Sequence, residues 1–185
     1  MRLSVTSALC LAVALAPTLP ARAAQVVQMD LQALSKNAEV IAVGRCTGTS
    51  AGWNAEHTHI YTTVTIQVSQ YLKGFLGPQI QFRQLGGKVG GKHLRVPGMP
   101  SFAAGEQVIV FLARDRAGKY QVLTAQQGKF SVVANPATGI SEVKGNSMSG
   151  QVISRSFTRA VGAPSNPAEL SNFINKVKSY VGSNK

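Results

Sequence analysis

Three histidines are the residues of this sequence best suited to chemistry, because imidazole binds metals and titrates near neutral pH. His57 and His59 are two residues apart, and on a strand that spacing points both rings to one face, as two ligands of a first-row metal require. Glu56 or His93 would complete such a site for zinc or copper. Solvated strand residues or a pH-sensitive surface are the alternative interpretation of the same histidines.

Ser141 and Lys144 have the spacing of a serine nucleophile and its lysine base, which a helix would bring together. These residues follow a Pro/Gly turn at 135–139, so we expect them to be extended and too far apart for that reaction. Seven Asp and Glu residues in the chain also leave little material for paired-acid catalysis. We therefore expect a non-enzymatic protein without a cofactor, and the alternative is a metal-binding protein or metal-dependent enzyme that uses His57 and His59.

Basic residues are in excess, with 19 Lys and Arg against 7 Asp and Glu and a formal net charge of +12. This charge favours binding to anionic surfaces such as lipopolysaccharide, teichoic acid, extracellular DNA or acidic glycans, although solubility alone would also explain it. We predict contact with an anionic envelope polymer or a protein partner through loop 86–95 and turn 114–119. The candidate contact residues are Lys88, Lys92, Arg95, Arg114, Arg116 and Lys119.

Loop 86–95 begins with four glycines in six residues, a composition that excludes a stable helix and predicts a flexible segment. Its backbone N–H groups and its cations could cradle an anion. An ordinary mobile loop without a ligand is the alternative.

Residues 1–23 have the pattern of a secretory signal, with Arg2 before an apolar stretch and small residues at Ala21 and Ala23. An anchoring helix is the alternative, but the stretch is short and prolines interrupt it. We expect an exported protein, periplasmic or extracellular, with no transmembrane segment in the mature chain and no cytosolic nucleic acid as its partner.

Removal of residues 1–23 lowers the formal net charge from +12 to +10 and leaves Cys46 as the one cysteine. A single thiol cannot form an intrachain disulfide, so core packing must stabilise the fold in an oxidising compartment. Cys46 follows an apolar strand pattern, which predicts a buried, inert thiol. A reactive thiol or an intermolecular disulfide is the alternative.

Strands must position most of these residues. Apolar and alternating patterns predict strands at 39–46, 57–70, 79–84, 107–113, 120–124, 129–134 and 140–143. The segment 107–113 is apolar on both faces and is expected to be central, in a hairpin with 120–124. Turn residues at 47–52 are expected to end the first strand, and Asp30 is expected to cap a short helix before it.

The C-terminal segment 167–182 is predicted to be an amphipathic helix, with a cap, a first-turn proline and an acid at residues 166–169. Its apolar stripe is expected to pack on the sheet, and docking on a partner or a membrane is the alternative. Residues 145–166 are rich in Ser, Gly and Asn, which predicts a loop or linker.

Many short strands with helices only at the ends predict a mainly β fold, a small closed or nearly closed antiparallel barrel over residues 24–144, which the resemblance described next implies is OB-like. Four segments stand out together: 38–45, the long Thr/Val strand ending at 71–74, 105–112 and 128–130. In these segments the chain resembles a widespread group of uncharacterised secreted bacterial proteins.

That pattern is in turn similar, over about residues 30–134, to the OB-fold barrel of netrin-like domains, which include tissue inhibitors of metalloproteinases. The inhibitors bind a catalytic zinc through an N-terminal cysteine held by a disulfide-rich barrel. Here the expected mature chain begins at Ala24. The resemblance therefore implies a barrel fold and does not carry over zinc-chelating inhibition.

Overall fold

The chain is mainly β-structure with two helices in the residues that this computed structural model describes, which are 29–136, 140–145 and 168–183. The expected signal 1–23 and residues 146–166 of the expected linker lie outside them. Neither helix has the length and apolar character needed to cross a membrane. The elements are α1 (Leu31–Asn37), β1 (Val40–Trp53), β2 (Ile60–Lys73), β3 (Gln79–Leu85), β4 (Gly87–Val89), β5 (Lys92–Leu94), β6 (Gln107–Arg114), β7 (Tyr120–Val122), a 3-10 helix (Ala125–Gly128), β8 (Lys129–Ala134), β9 (Ser141–Gly145), β10 (Ala168–Glu169) and α2 (Leu170–Gly182).

One antiparallel sheet contains eight of these strands in the order β10-β9-β8-β6-β1-β2-β3, with β7 paired to β6. The edge of β6 opposite β1 is shared, because β8 pairs with its first half and β7 with its second half. Residues Val108 to Leu112 of β6 are fully buried, as five consecutive apolar residues require of a strand covered on both faces. The predicted central strand and its hairpin with β7 are thus confirmed.

Side chains of β6 alternate between two apolar clusters. Ile109 and Phe111 belong to the cluster that packs beneath the helices, whereas Val108, Val110 and Leu112 belong to the cluster on the opposite face. The sheet therefore separates two cores, and each burial of a large side chain contributes about 1.5–3 kcal/mol.

The two helices cover only the first of these clusters. Asp30 caps α1 as predicted, since its Oδ1 accepts the backbone N–H of Ala33 at 2.7 Å. Phe173 and Val177 of α2 are buried against the sheet. The prediction that the C-terminal stripe packs on the sheet is confirmed.

The start of that C-terminal helix differs from the prediction. Helix α2 begins at Leu170, because Ala168 and Glu169 are extended and pair with β9 as β10. Glu169 was expected as the third helical residue and is instead the residue before the helix. Pairing with the sheet edge outweighs the local helix-start signal.

A closed barrel, expected from the sequence, is not found among the described strands. The hydrogen-bonded path is open and ends at β3 and β10. Strand β7 comes into contact with β3 but pairs only with β6. It is three residues long, and left-handed backbone at Thr124 (φ 49°) and Ala125 (φ 55°) ends the extended chain.

Strand β1 is longer than predicted. Residues 47–52 were expected to break it as a turn, yet every residue from Gly48 to Trp53 pairs with β2. A register shift between Cys46 and Gly48 takes in the extra residue Thr47 as a bulge. The β-branched partner strand holds these Gly and Ser residues extended, against their local preference for a turn.

A buried ion pair joins β8 to the loop before β6. Lys129 is 3% exposed, and its Nζ donates to Glu106 Oε1 at 2.6 Å and to the Ser101 carbonyl at 2.6 Å. Burial would raise the pKa of Glu106, but hydrogen bonds from Lys129, Ser131 and the Ala103 amide outweigh it and lower the pKa. The loop is thereby fixed across the end of the second core.

We predict that Glu106→Gln lowers the free energy of unfolding by about 3 kcal/mol, because it leaves the buried Lys129 ammonium without its counter-ion. Urea denaturation at pH 7 measures this. The matched control is Glu39→Gln, which removes an exposed pair with Arg114 (Nε–Oε2 3.5 Å) and should change stability much less. Equal losses in the two variants would contradict a special role for the buried pair.

The same pair predicts a pH dependence of stability. A carboxyl whose pKa is lower in the folded state stabilises the fold above its unfolded pKa, and this contribution is lost as the pH falls through the folded value. The thermal midpoint of the unaltered protein should therefore fall from about pH 5 downward. In Glu106→Gln the fall over the same range should be shallower, and parallel curves would refute the assignment.

Candidate functional site

The predicted contact residues form two separate groups at opposite ends of β1. Arg114 lies beside Glu39 at the start of β1, whereas the 86–95 segment packs near Ala51 at its end. The path along β1 between these ends is about 40 Å. The structure therefore does not join loop 86–95 and turn 114–119 in one site.

The 86–95 segment is an ordered hairpin, where the sequence predicted a flexible loop. Strand β4 pairs with β5, and Val89 lies opposite Lys92 across a two-residue turn. Gly90 (φ 54°) and Gly91 (φ 79°) both have left-handed backbone in that turn, the conformation that favours tight two-residue hairpins. The glycine pair flanked by Val89 and Lys92 was the signal that pointed to a hairpin.

The hairpin is fixed to one face of the β1–β2 pair. Thr62 Oγ1 donates to the Gly86 carbonyl at 2.6 Å. A Cβ at Gly87 (φ 145°) would meet Thr62 Oγ1 at 2.6 Å and the Ala51 Cβ at 3.0 Å. Backbone and sheet thus approach so closely that only glycine fits at this position.

One cation of the hairpin lies near an aromatic ring at the end of the sheet. Lys92 Nζ is 6.0 Å from the centroid of the Trp53 ring, and the His57 ring is 6.2 Å from the same ring. Lys88, Lys92 and Arg95 are all exposed. We call Lys88, Lys92, Arg95 and Trp53 the hairpin patch.

One acid, Glu56, lies near the patch in sequence, and its Oε2 accepts a hydrogen bond from Asn54 Nδ2 at 2.6 Å. The 49 residues from His57 to Gly105 contain five Lys and Arg and no Asp or Glu. Within the described residues the ion pairs are Arg114 with Glu39 and Lys129 with Glu106. The three cations of the hairpin patch therefore face solvent without a carboxylate partner among those residues.

The positive charge of the 114–119 turn is offset by acids to a greater extent than that of the hairpin patch. Arg114 pairs with Glu39, and its Nη2 donates to the Tyr120 hydroxyl at 3.0 Å. Asp115 Oδ1 accepts the backbone N–H of Lys119 at 2.8 Å, which places a carboxylate inside the turn. Two acids thus contact this turn, whereas no ion pair among the described residues joins an acid to a cation of the hairpin patch.

His57 and His59 lie in the turn between β1 and β2, so their predicted position on one strand face is wrong. Strand β2 begins at Ile60, and His57 has left-handed backbone (φ 53°). The Asn54 side chain holds the turn by accepting the N–H of His59 at 2.8 Å. An asparagine just after a strand was the signal for this turn.

His93 lies on β5, and no cluster of three His, Cys, Asp or Glu side chains that could hold a metal occurs among the described residues. Binding of zinc or copper by His57, His59 and His93 stays a prediction without a geometric basis in this part of the chain. Ser141 and Lys144 lie on β9 and are extended as expected. A separation of three residues places them on opposite faces of that strand.

Cys46 is fully buried, as predicted. Burial raises the pKa of its thiol, and the nearby Glu106 carboxylate raises it further. A buried thiol with a raised pKa is a poor nucleophile at neutral pH. The inert interpretation of Cys46 is therefore favoured.

A polar depression on the other face of β1, β2 and β3 was not among the predicted sites. Its volume is about 360 Å³, and it is lined by Thr47, Gly48, Thr49, Ser50, Thr63, Thr65 and Gln81. Residues 47–52 were expected to form a turn, so the sequence pattern did not place them beside β2 and β3. The alternating threonines of β2 were the signal available for it.

Comparison with protein-family models, with curated proteins and with solved structures gives no match. The resemblance to netrin-like domains therefore stays a prediction.

We predict that Gly87→Ala loosens the hairpin, because the added methyl group would overlap Thr62 and Ala51. Amide hydrogen exchange in β4 and β5 should become faster. Gly90→Ala is the matched control, since it also substitutes a glycine at positive φ but meets open space. It should have a smaller effect, and equal acceleration in both variants would show that the contact with the sheet is unimportant.

Proposed function

We propose that this protein is an exported, non-enzymatic binding module that contacts an anionic partner at the cell envelope through the hairpin patch. The observation that carries the proposal is the exposed group Lys88, Lys92 and Arg95, held by a hairpin that packs on the sheet and without an ion-pair partner among the described residues. Unpaired cations fixed on a scaffold attract a polyanion without first losing side-chain partners. Export rests on the signal pattern of residues 1–23.

The position of Trp53 supports binding at the hairpin patch. Its ring is close to both the Lys92 ammonium and the His57 ring. An anion that binds Lys92 and moves it away from Trp53 therefore changes the environment of the indole. Trp53 is the single tryptophan of the chain. Its fluorescence therefore reports on the hairpin patch alone.

We also propose an OB-like relationship for the curled part of the sheet. Strands β1, β2 and β3 continue to β6 and β7 through the β1–β6 pairing, and β7 contacts β3 without a ladder. A partly open five-stranded barrel is an arrangement that OB folds adopt. Contact between β3 and β7 supports this relationship, and it agrees with the resemblance to netrin-like domains.

Heparin binding at increasing salt tests the function. We predict that Lys88→Gln/Lys92→Gln elutes from heparin at lower salt, and that the slope of log K against log salt falls by about one for each lysine removed. The matched control, Arg116→Gln/Lys119→Gln, removes the same charge from the other group and should change both quantities less. Heparin should also shift Trp53 fluorescence in the control but not in the hairpin variant.

Three results would overturn the proposal. They are no retention of the unaltered protein, retention that salt does not weaken, and an equal or larger loss in the Arg116→Gln/Lys119→Gln control.

A further inference from the structure

The outer face of β1, β2 and β3 changes character along its length. Beneath the helices it is apolar as far as Val43 on β1. Beyond that point it carries polar side chains in rows across the three strands. The register places Gly48 beside Thr65 and Gln81 in one row, and Ser50 beside Thr63 and Arg83 in the next.

Two hydroxyl groups of this face have unused hydrogen-bonding capacity. Ser50 and Thr63 make no side-chain hydrogen bond to another described residue. Gln81 Nε2 reaches Thr65 Oγ1 only at 3.5 Å. The depression therefore presents donors and acceptors to a ligand without breaking internal bonds.

Positive charge lies on both sides of the depression. Strands β1, β2 and β3 contain no Asp or Glu. Arg45 on β1 lies in the row of Gln67 and Gln79, and Arg83 on β3 lies in the row of Thr63. These two rows are four residues apart along β2, a spacing of about 13 Å. Both arginines are exposed, and the Arg83 guanidinium is 5.0 Å from the centroid of the Tyr61 ring.

We propose that this polar face binds an acidic polysaccharide, a second contact on the sheet face opposite the hairpin patch. Sugar hydroxyls would pair with the Thr, Ser and Gln side chains, and the acidic groups with Arg45 and Arg83. A nucleic acid fits less well, because one aromatic ring, Tyr61, offers little stacking surface. The inference names the ligand class of the proposed function and rests on it for the ligand's negative charge.

Two probes separate sugar recognition from charge alone, a heparin octasaccharide and an inorganic polyphosphate of similar charge. Thr63→Val/Thr65→Val removes two hydroxyls but keeps β-branched side chains that suit the strand. Affinity for the octasaccharide should fall at least about fivefold, since one lost hydrogen bond is worth about 1 kcal/mol. Affinity for polyphosphate should change less than about twofold.

A second variant guards against misfolding. Arg83→Gln changes an exposed side chain and should weaken binding of both probes more than its matched control Arg116→Gln. Amide resonances of residues 47–50 and 63–65 should shift on addition of the octasaccharide to the unaltered protein.

The outcomes separate the two proposals. Equal loss for both probes in the threonine variant, or no loss for either, overturns the polar face as a sugar site. If Lys88→Gln/Lys92→Gln still weakens binding in that case, the hairpin patch is the one binding site of the two that the data support. If the unaltered protein binds neither probe, both proposals fail.

Discussion

Strand β1 pairs with β2 from Ile41 to Trp53, whereas β6 pairs only with the part of β1 from Val40 to Arg45. The sheet therefore has a thick end, where the helices cover one face and the other face is buried in the second apolar cluster, and a thin end made of β1, β2 and β3. Apolar burial stabilises the thick end. At the thin end, the hydrogen-bonded pairing of β1 with β2 positions the side chains of both faces. One face is open to solvent, and the other contacts the hairpin.

Charge follows the same division. The ion pairs of the described residues, Glu39 with Arg114 and Glu106 with Lys129, lie at the thick end and in its loops, and Glu56 is the acid in the turn at the thin end. The thin end has cations without described carboxylate partners. Because exposed pairs contribute little to stability, unpaired cations at the thin end cost the fold little and leave their charge to act on a ligand.

Long apolar patterns predicted strands and helices correctly where the structure buries the apolar side chains. Strand β6 and the stripe of α2 that includes Phe173 and Val177 are found where the sequence placed them. Segments with turn-forming residues were predicted poorly. Residues 47–52 lie in a strand because β2 pairs with them. His57 lies outside the predicted strand because the Asn54 side chain stabilises a turn there.

The sequence by itself determined the apolar stripes of β6 and α2 that are buried, where the central strand runs and that the chain is strongly basic, since hydrophobic periodicity and charge are local properties. Tertiary structure decided which cations share a surface, that the strand path stays open and that a threonine-lined depression exists. Those outcomes depend on register between strands distant in sequence, and pairing energy there outweighs local preference.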